Sequence, residues 1–142
     1  NQPPRKRSEP IINQVMWRDI ILYGVVIAAS VLGAMIYGLY VLGVDPGVAN
    51  NIAFFTLLLA QLWHVFNLPK RKISFIKNEI TRNPFIWAAL AICLLSCLLV
   101  YYVPVLQSVL KIEALTITHL GVIFLFSIIP LLIIQGVKRI RF

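Results

Sequence analysis

Between Asp19 and Asp45 the chain reads IILYGVVIAASVLGAMIYGLYVLGV, residues 20–44, without one charged side chain. A helix needs roughly 20 predominantly apolar residues to cross a hydrocarbon core of ~30 Å, and this stretch supplies them. Three more charge-free stretches follow, at 46–69, 83–110 and 114–137. None alternates polar and apolar residues as a membrane β-strand would, and a helix satisfies its backbone within the segment, as lipid demands. The sequence predicts an all-α integral membrane bundle of four spans, at about 20–43, 48–68, 85–103 and 114–137. Composition agrees: 60% of the 142 residues are hydrophobic, 13% are charged and the mean hydropathy is +0.88, whereas a soluble domain is about half apolar and about a quarter charged.

Charge sets the orientation. Arg5, Lys6, Arg7 and Arg18 precede span one; Lys70, Arg71, Lys72, Lys77 and Arg82 lie between spans two and three; Lys138, Arg139 and Arg141 end the chain. Only Lys111 lies on the other side, beside Glu113. The positive-inside rule then puts both termini in the cytoplasm. The net charge of +8 is explained by contact with anionic headgroups and requires no nucleic acid, since the basic clusters are short and tied to the bilayer surface.

Punctuation divides the chain. Residues 1–10 are polar and Pro-rich, and residues 11–18 form an amphipathic stretch that lies on the membrane surface or extends span one inward. Asp45-Pro46-Gly47 turns spans one and two into a tight hairpin. Asn83-Pro84 opens span three, Pro104 ends or kinks it, and Pro130 interrupts span four. Span one carries Gly24, Ala28, Ala29, Gly33, Ala34 and Gly38. Pairs such as Gly24/Ala28 and Ala29/Gly33 predict a face for close helix approach. The chain opens Asn1-Gln2-Pro3-Pro4 without Met, as the middle of a longer protein would.

Span two is the polar one, with Asn50, Asn51, Thr56, Gln61, His64 and Asn67. Gln61 and His64 are three apart and share a face, extended by Asn67. Polar groups at membrane depth mark function by default or hydrogen-bond neighbouring helices; the two weigh evenly for Gln61, and for His64 the second is favoured. His119 lies far from the depth of His64, which disfavours a bis-histidine haem site. Two histidines do not make a closed zinc site. Cys93 and Cys97 are four apart on one helix, a poor geometry for a disulfide; they are expected as small buried hydrophobes. No nucleophile with a base, no phosphate loop and no intramembrane carboxylate pair occurs, so the sequence offers no catalytic residue and no cofactor site of its own.

Pro3-Pro4-Arg5 and Glu9-Pro10-Ile11-Ile12 resemble the loop after the sixth membrane helix of P-type cation-transporting ATPases of the calcium-pump and sodium-pump group. Phe54-Phe55-Thr56 through Gln61-Leu62-Trp63-His64-Val65-Phe66-Asn67 resembles their eighth helix. Pro84 through Tyr101-Tyr102-Val103-Pro104 is similar to the ninth. Lys111-Ile112-Glu113-Ala114-Leu115, with Ser127 and Pro130, is similar to the tenth. The resemblance implies that residues 1–142 are the C-terminal membrane domain, spans seven to ten, of such a pump. The parent would use ATP and Mg2+, and the domain's partners would be the lipid bilayer, the pump's other helices and the transported cation, most simply Ca2+. The Asp-Lys-Thr-Gly-Thr phosphorylation motif is absent from this chain, so the resemblance implies a segment inactive alone that supports the transport helices and completes the edge of the cation site. It places Gln61 where reticulum-type calcium pumps carry a site Glu and plasma-membrane calcium pumps and sodium pumps carry Gln, and His64 where sodium pumps carry Asp. This implies one calcium ion per cycle and a plasma (bacterial inner) membrane location. The competing expectation is a stand-alone four-helix scaffold or small carrier.

Overall fold

The computed structural model describes residues 14–67 and 80–140. Five α-helices follow in order: α1 (Gln14–Tyr40), α2 (Pro46–His64), α3 (Pro84–Tyr102), α4 (Pro104–Leu110) and α5 (Ile117–Ile140), with a 3-10 turn at Val65–Asn67 closing α2. No strand occurs among the described residues. Among the described residues, four helices are long and apolar enough to cross a membrane, namely α1, α2 with its 3-10 turn, α3 and α5. The amphipathic stretch at 11–18 is continuous with span one from Gln14 onward; residues 11–13 and the connection at 68–79, expected on the cytoplasmic side, lie outside the described residues.

Local chemistry explains the breaks. α1 stops where Val41 and Leu42 both donate to the Tyr37 carbonyl and Gly43 turns to φ +64°, a conformation glycine adopts without a Cβ penalty. Extended Asp45 then precedes Pro46 in the first turn of α2, where its missing N–H costs no bond. Asn83 caps α3 by accepting from the Phe85 amide at 3.0 Å. Pro104 ends α3 rather than kinking it, since Val103 is extended and the proline starts the short α4. α5 begins at Ile117, later than the expected 114, because residues 111–115 are held by side chains from other helices, as described below. Thr116 and His119 exchange hydrogen bonds across its first turn, the His119 amide donating to Thr116 Oγ1 (3.4 Å) and the Thr116 amide to His119 Nδ1 (3.2 Å).

Helices α1, α2 and α5 pack against one another around Ala34, Ile52, Phe55, Val122 and Ile123. Of the small-residue pairs expected, Ala29/Gly33 holds in part, since a Cβ on Gly33 would lie 3.0 Å from Phe126 Cε1, and Gly24/Ala28 does not. Gly24 and Ala28 are exposed, and Gly24 has nothing within 4 Å of where a Cβ would stand. The buried line is Ile27, Ser30, Ala34 and Gly38. A Cβ on Gly38 would lie 3.2 Å from Ile52 Cδ1, so α1 and α2 approach closely there. Helix α3 is different: Leu90 is its one buried residue. It is attached at its ends, by Trp87 against Phe66 (ring centroids 5.7 Å) and by Tyr101 against Phe55 (6.4 Å).

Pro130 lies inside α5 without ending it. A proline there has no N–H for the carbonyl four residues back, that of Phe126. Ser30 of α1 donates its hydroxyl to that carbonyl. The neighbouring Ser127 bonds the Phe124 carbonyl at 2.8 Å and accepts from Trp63 Nε1 of α2 at 3.1 Å. The interruption in α5 is therefore a junction of three helices, its freed carbonyl satisfied from α1.

Candidate functional site on the polar span

The polar residues of α2 fall into a closed set and an open set. Near the N-terminus of α2, Asn51, 1% exposed, reaches the loop before α5: its Oδ1 accepts from the Glu113 amide at 2.6 Å and its Nδ2 donates to the Lys111 carbonyl at 3.2 Å. Lys111 takes the left-handed conformation there (φ 52°), and Tyr101 Oη holds Leu115 through both its amide and its carbonyl at 3.3 Å. The Glu113 carboxylate lies against Gly47, beside the N-terminus of α2, where a negative charge is favoured.

At the opposite end, in the 3-10 turn, Asn67 is also buried. Its Oδ1 accepts from Gln135 Nε2 at 2.8 Å, and its Nδ2 faces His64 Nδ1 at 3.4 Å. With the amide oriented by Gln135, Nδ2 is the donor and His64 Nδ1 the acceptor, so the histidine proton is on Nε2. Gln135 also donates to the Phe66 carbonyl at 3.2 Å, and Lys138 Nζ donates to the Asn67 carbonyl. The last carbonyls of span two are thus capped by an amide and an ammonium from α5, a favourable place for a cation. The Lys138 ammonium also lies 5.7 Å from the Tyr23 ring centroid, within cation–π range, and Tyr23 meets His64 edge-on at 5.3 Å.

The open set is a stripe. Asn50, Leu57 and Gln61 are exposed on α2, spaced seven and four apart, so they line one face. Gln61 makes no hydrogen bond among the described residues. It is fifteen residues past Pro46, ~22 Å along α2, and so still at hydrocarbon depth. An unpaired polar group there costs several kcal/mol, so this face calls for a polar neighbour. The structure therefore unites His64 with Asn67 and separates both from Gln61. Thr56 belongs to neither set; it is buried and its hydroxyl has no partner among the described residues.

Several participants escaped sequence reading. Ser30 was hidden in a run of small residues, and Lys138 looked like a headgroup anchor. Gln135 and Lys138, three apart on one face, were the available signal. Cys93 is exposed and Cys97 half-buried, both as free thiols, so Cys93 is not the buried hydrophobe expected. His64 and His119 sit at opposite ends of their helices. No group of three or more His, Cys, Asp or Glu able to hold a metal occurs among the described residues. Gln61 offers a neutral oxygen to a hard cation, but Ca2+ takes 6–8 oxygens, so any site it joins draws most ligands from outside the described residues.

The family described as "Cation transporting ATPase, C-terminus" matches residues 1–140. The chain belongs to this family. Among curated relatives, the "Calcium-transporting ATPase" of Bacillus subtilis is 29% identical over 94% of this chain and 15% of its own length. "Calcium-transporting ATPase 1" of Bacillus cereus is 33% identical over 63% of the chain and 10% of its own length. "Calcium-transporting ATPase 8, plasma membrane-type" of Arabidopsis thaliana is 26% identical over 66% of the chain and 9% of its own length. The chain thus spans 10–15% of the length of the two bacterial pumps it matches. As a member of this family with four helices among its described residues long and apolar enough to span, it is a multi-pass membrane protein.

Proposed function

We propose that this C-terminal domain forms the rigid flank of an ATP-driven calcium pump in the plasma (bacterial inner) membrane, with both termini cytoplasmic, and that its open α2 stripe faces the transport helices. In that role α1, α2 and α5 buttress those helices, and the Gln61 side-chain oxygen completes the edge of the cation site. Most protein ligands, and the ATP and Mg2+ chemistry, belong to the rest of the pump. A neutral amide in place of a carboxylate lowers the site's charge and favours one calcium ion per cycle. One observation supports this reading above the others: Gln61 is exposed at hydrocarbon depth while Asn51, Trp63 and Asn67 all have partners within the bundle.

The test is ATP-driven calcium uptake into inverted vesicles holding the full-length protein that carries this chain. Gln61→Ala is expected to weaken apparent calcium affinity about tenfold, the loss of one good oxygen ligand at ~1.4 kcal/mol, with Gln61→Glu retaining uptake. Unchanged affinity in Gln61→Ala would remove Gln61 from the site. A native chain near 16.1 kDa without ATP-driven uptake would overturn the pump reading itself.

A further inference from the structure

A chain of hydrogen bonds joins the last residues of span two to α5, and a backbone carbonyl fixes its direction. The Phe66 carbonyl can only accept, so the Gln135 atom 3.2 Å from it is the Nε2 donor. The same nitrogen meets the Asn67 side chain at 2.8 Å, which makes the Asn67 atom there Oδ1. The Asn67 amide nitrogen is thereby turned to His64 Nδ1 at 3.4 Å, and that ring nitrogen has to bring a lone pair. The Asn67 backbone carbonyl is held in turn by the Lys138 ammonium. The links from Gln135 to His64 all run from donor to acceptor and end on an unprotonated nitrogen.

A second proton on His64 reverses the last link. Imidazolium has two N–H donors and no acceptor, so Nδ1 would set a donor against the Asn67 donor. Turning the Asn67 amide over would set its nitrogen against Gln135 Nε2, and turning Gln135 over would set an oxygen against the Phe66 carbonyl. The added charge would also stand near Lys138, whose ammonium lies 5.7 Å from the Tyr23 ring that meets His64 edge-on. Of the other charged groups on the neighbouring elements, Asp19 stands one turn before Tyr23 on α1 and contacts Arg18 at 4.0 Å, while Arg139 on α5 and Arg82 ahead of α3 are exposed. His64 is the last residue of α2 and only half-buried, and histidine is the side chain whose charge ordinarily changes near neutral pH. We propose that His64 is an acid-sensitive latch: with Nδ1 unprotonated it fastens the C-terminal end of span two to α5, and protonation releases that end. The latch is closed at higher pH and opens as pH falls through the histidine range, whichever ion the parent protein moves.

Hydrogen–deuterium exchange of the full-length protein carrying this chain, in nanodiscs at about pH 7.5 and about pH 5.5, either side of the histidine range, tests this once each rate is divided by the intrinsic exchange rate at that pH. Protection of the amides at 64–67 is expected to fall about fivefold at the lower pH, the loss of one hydrogen bond, while protection at 120–126 in the core of α5 holds. His64→Asn, whose amide oxygen takes the place of Nδ1 and does not titrate, is expected to remove the pH dependence. Asn67→Asp gives an imidazolium a carboxylate to donate to, and is expected to keep 64–67 protected at the lower pH; His64→Asn decides alone if that variant does not fold. Equal protection of 64–67 at both pH values in the unsubstituted protein, a parallel fall at 120–126, or the same fivefold fall in either variant would each overturn the proposal.

Discussion

On one side of α2, Asn51, Trp63 and Asn67 each reach a partner on a neighbouring segment; on the other, Asn50, Leu57 and Gln61 face outward with the bundle turned away from them. The helix is the same and its polar residues are of similar type, so propensity and hydropathy do not distinguish the sides. Satisfaction does. In lipid, helices gain little from burying apolar surface against each other, and association rests on close packing and interhelical hydrogen bonds. The closed side uses both, with Gly38 and Ala34 drawing α1 in and amides and hydroxyls fastening the ends. The open side carries the Gln61 amide, which has no hydrogen-bond partner among the described residues, and this fits the surface proposed for helices of the rest of the pump.

Substitutions on the closed side should act on stability alone. The largest effect is expected from Gly38→Leu, where a Cβ already meets Ile52 at 3.2 Å and Ala49 at 3.7 Å. Overpacking of this kind costs about 1–3 kcal/mol and should appear as a lower thermal midpoint of the detergent-solubilised full-length protein. Asn51→Ala comes next, leaving the Glu113 amide and the Lys111 carbonyl to find water, at about 1–2 kcal/mol for buried groups that lose their partner. Ser30→Ala should cost less, about 0.6 kcal/mol by the average of interhelical bonds in membranes, with calcium uptake per folded molecule unchanged. Thr56→Val should be neutral within about 0.5 kcal/mol or slightly stabilising, because the hydroxyl it removes has no partner and the shape is kept. A loss of uptake without loss of stability in any of these four would blur the division between the two sides.

The spans were legible because lipid imposes a length that few other environments require, and Pro46, Pro84 and Pro104 were legible because a proline without an N–H belongs at a helix start. Span ends were less so. α1 reaches back to Gln14 and α5 on to Ile140 because a helix continues past the hydrocarbon once its backbone bonds are made. The packing face of α1 was legible only in part, for a specific reason. Residues 24–38 offer small residues in several registers, and choosing Ser30, Ala34 and Gly38 requires knowing that Phe126 and Ile52 stand opposite. Periodicity assigns a residue to a face but does not name its partner. Hence periodicity groups Gln61, His64 and Asn67 on one face, whereas the fold separates Gln61 from the other two and gives His64 and Asn67 to Tyr23, Gln135 and Lys138.

On the proposed reading, the Gln61 side of α2 is covered by the rest of a larger pump. A nitroxide label placed in turn at positions 61 and 95 of the full-length protein in bilayers, read by its collision rate with dissolved oxygen, tests this directly. Leu95, 59% exposed on α3, should report high oxygen access, as at a lipid-facing position, and position 61 should be shielded. Equal, lipid-like access at both positions would contradict the claim and leave α2 facing the bilayer.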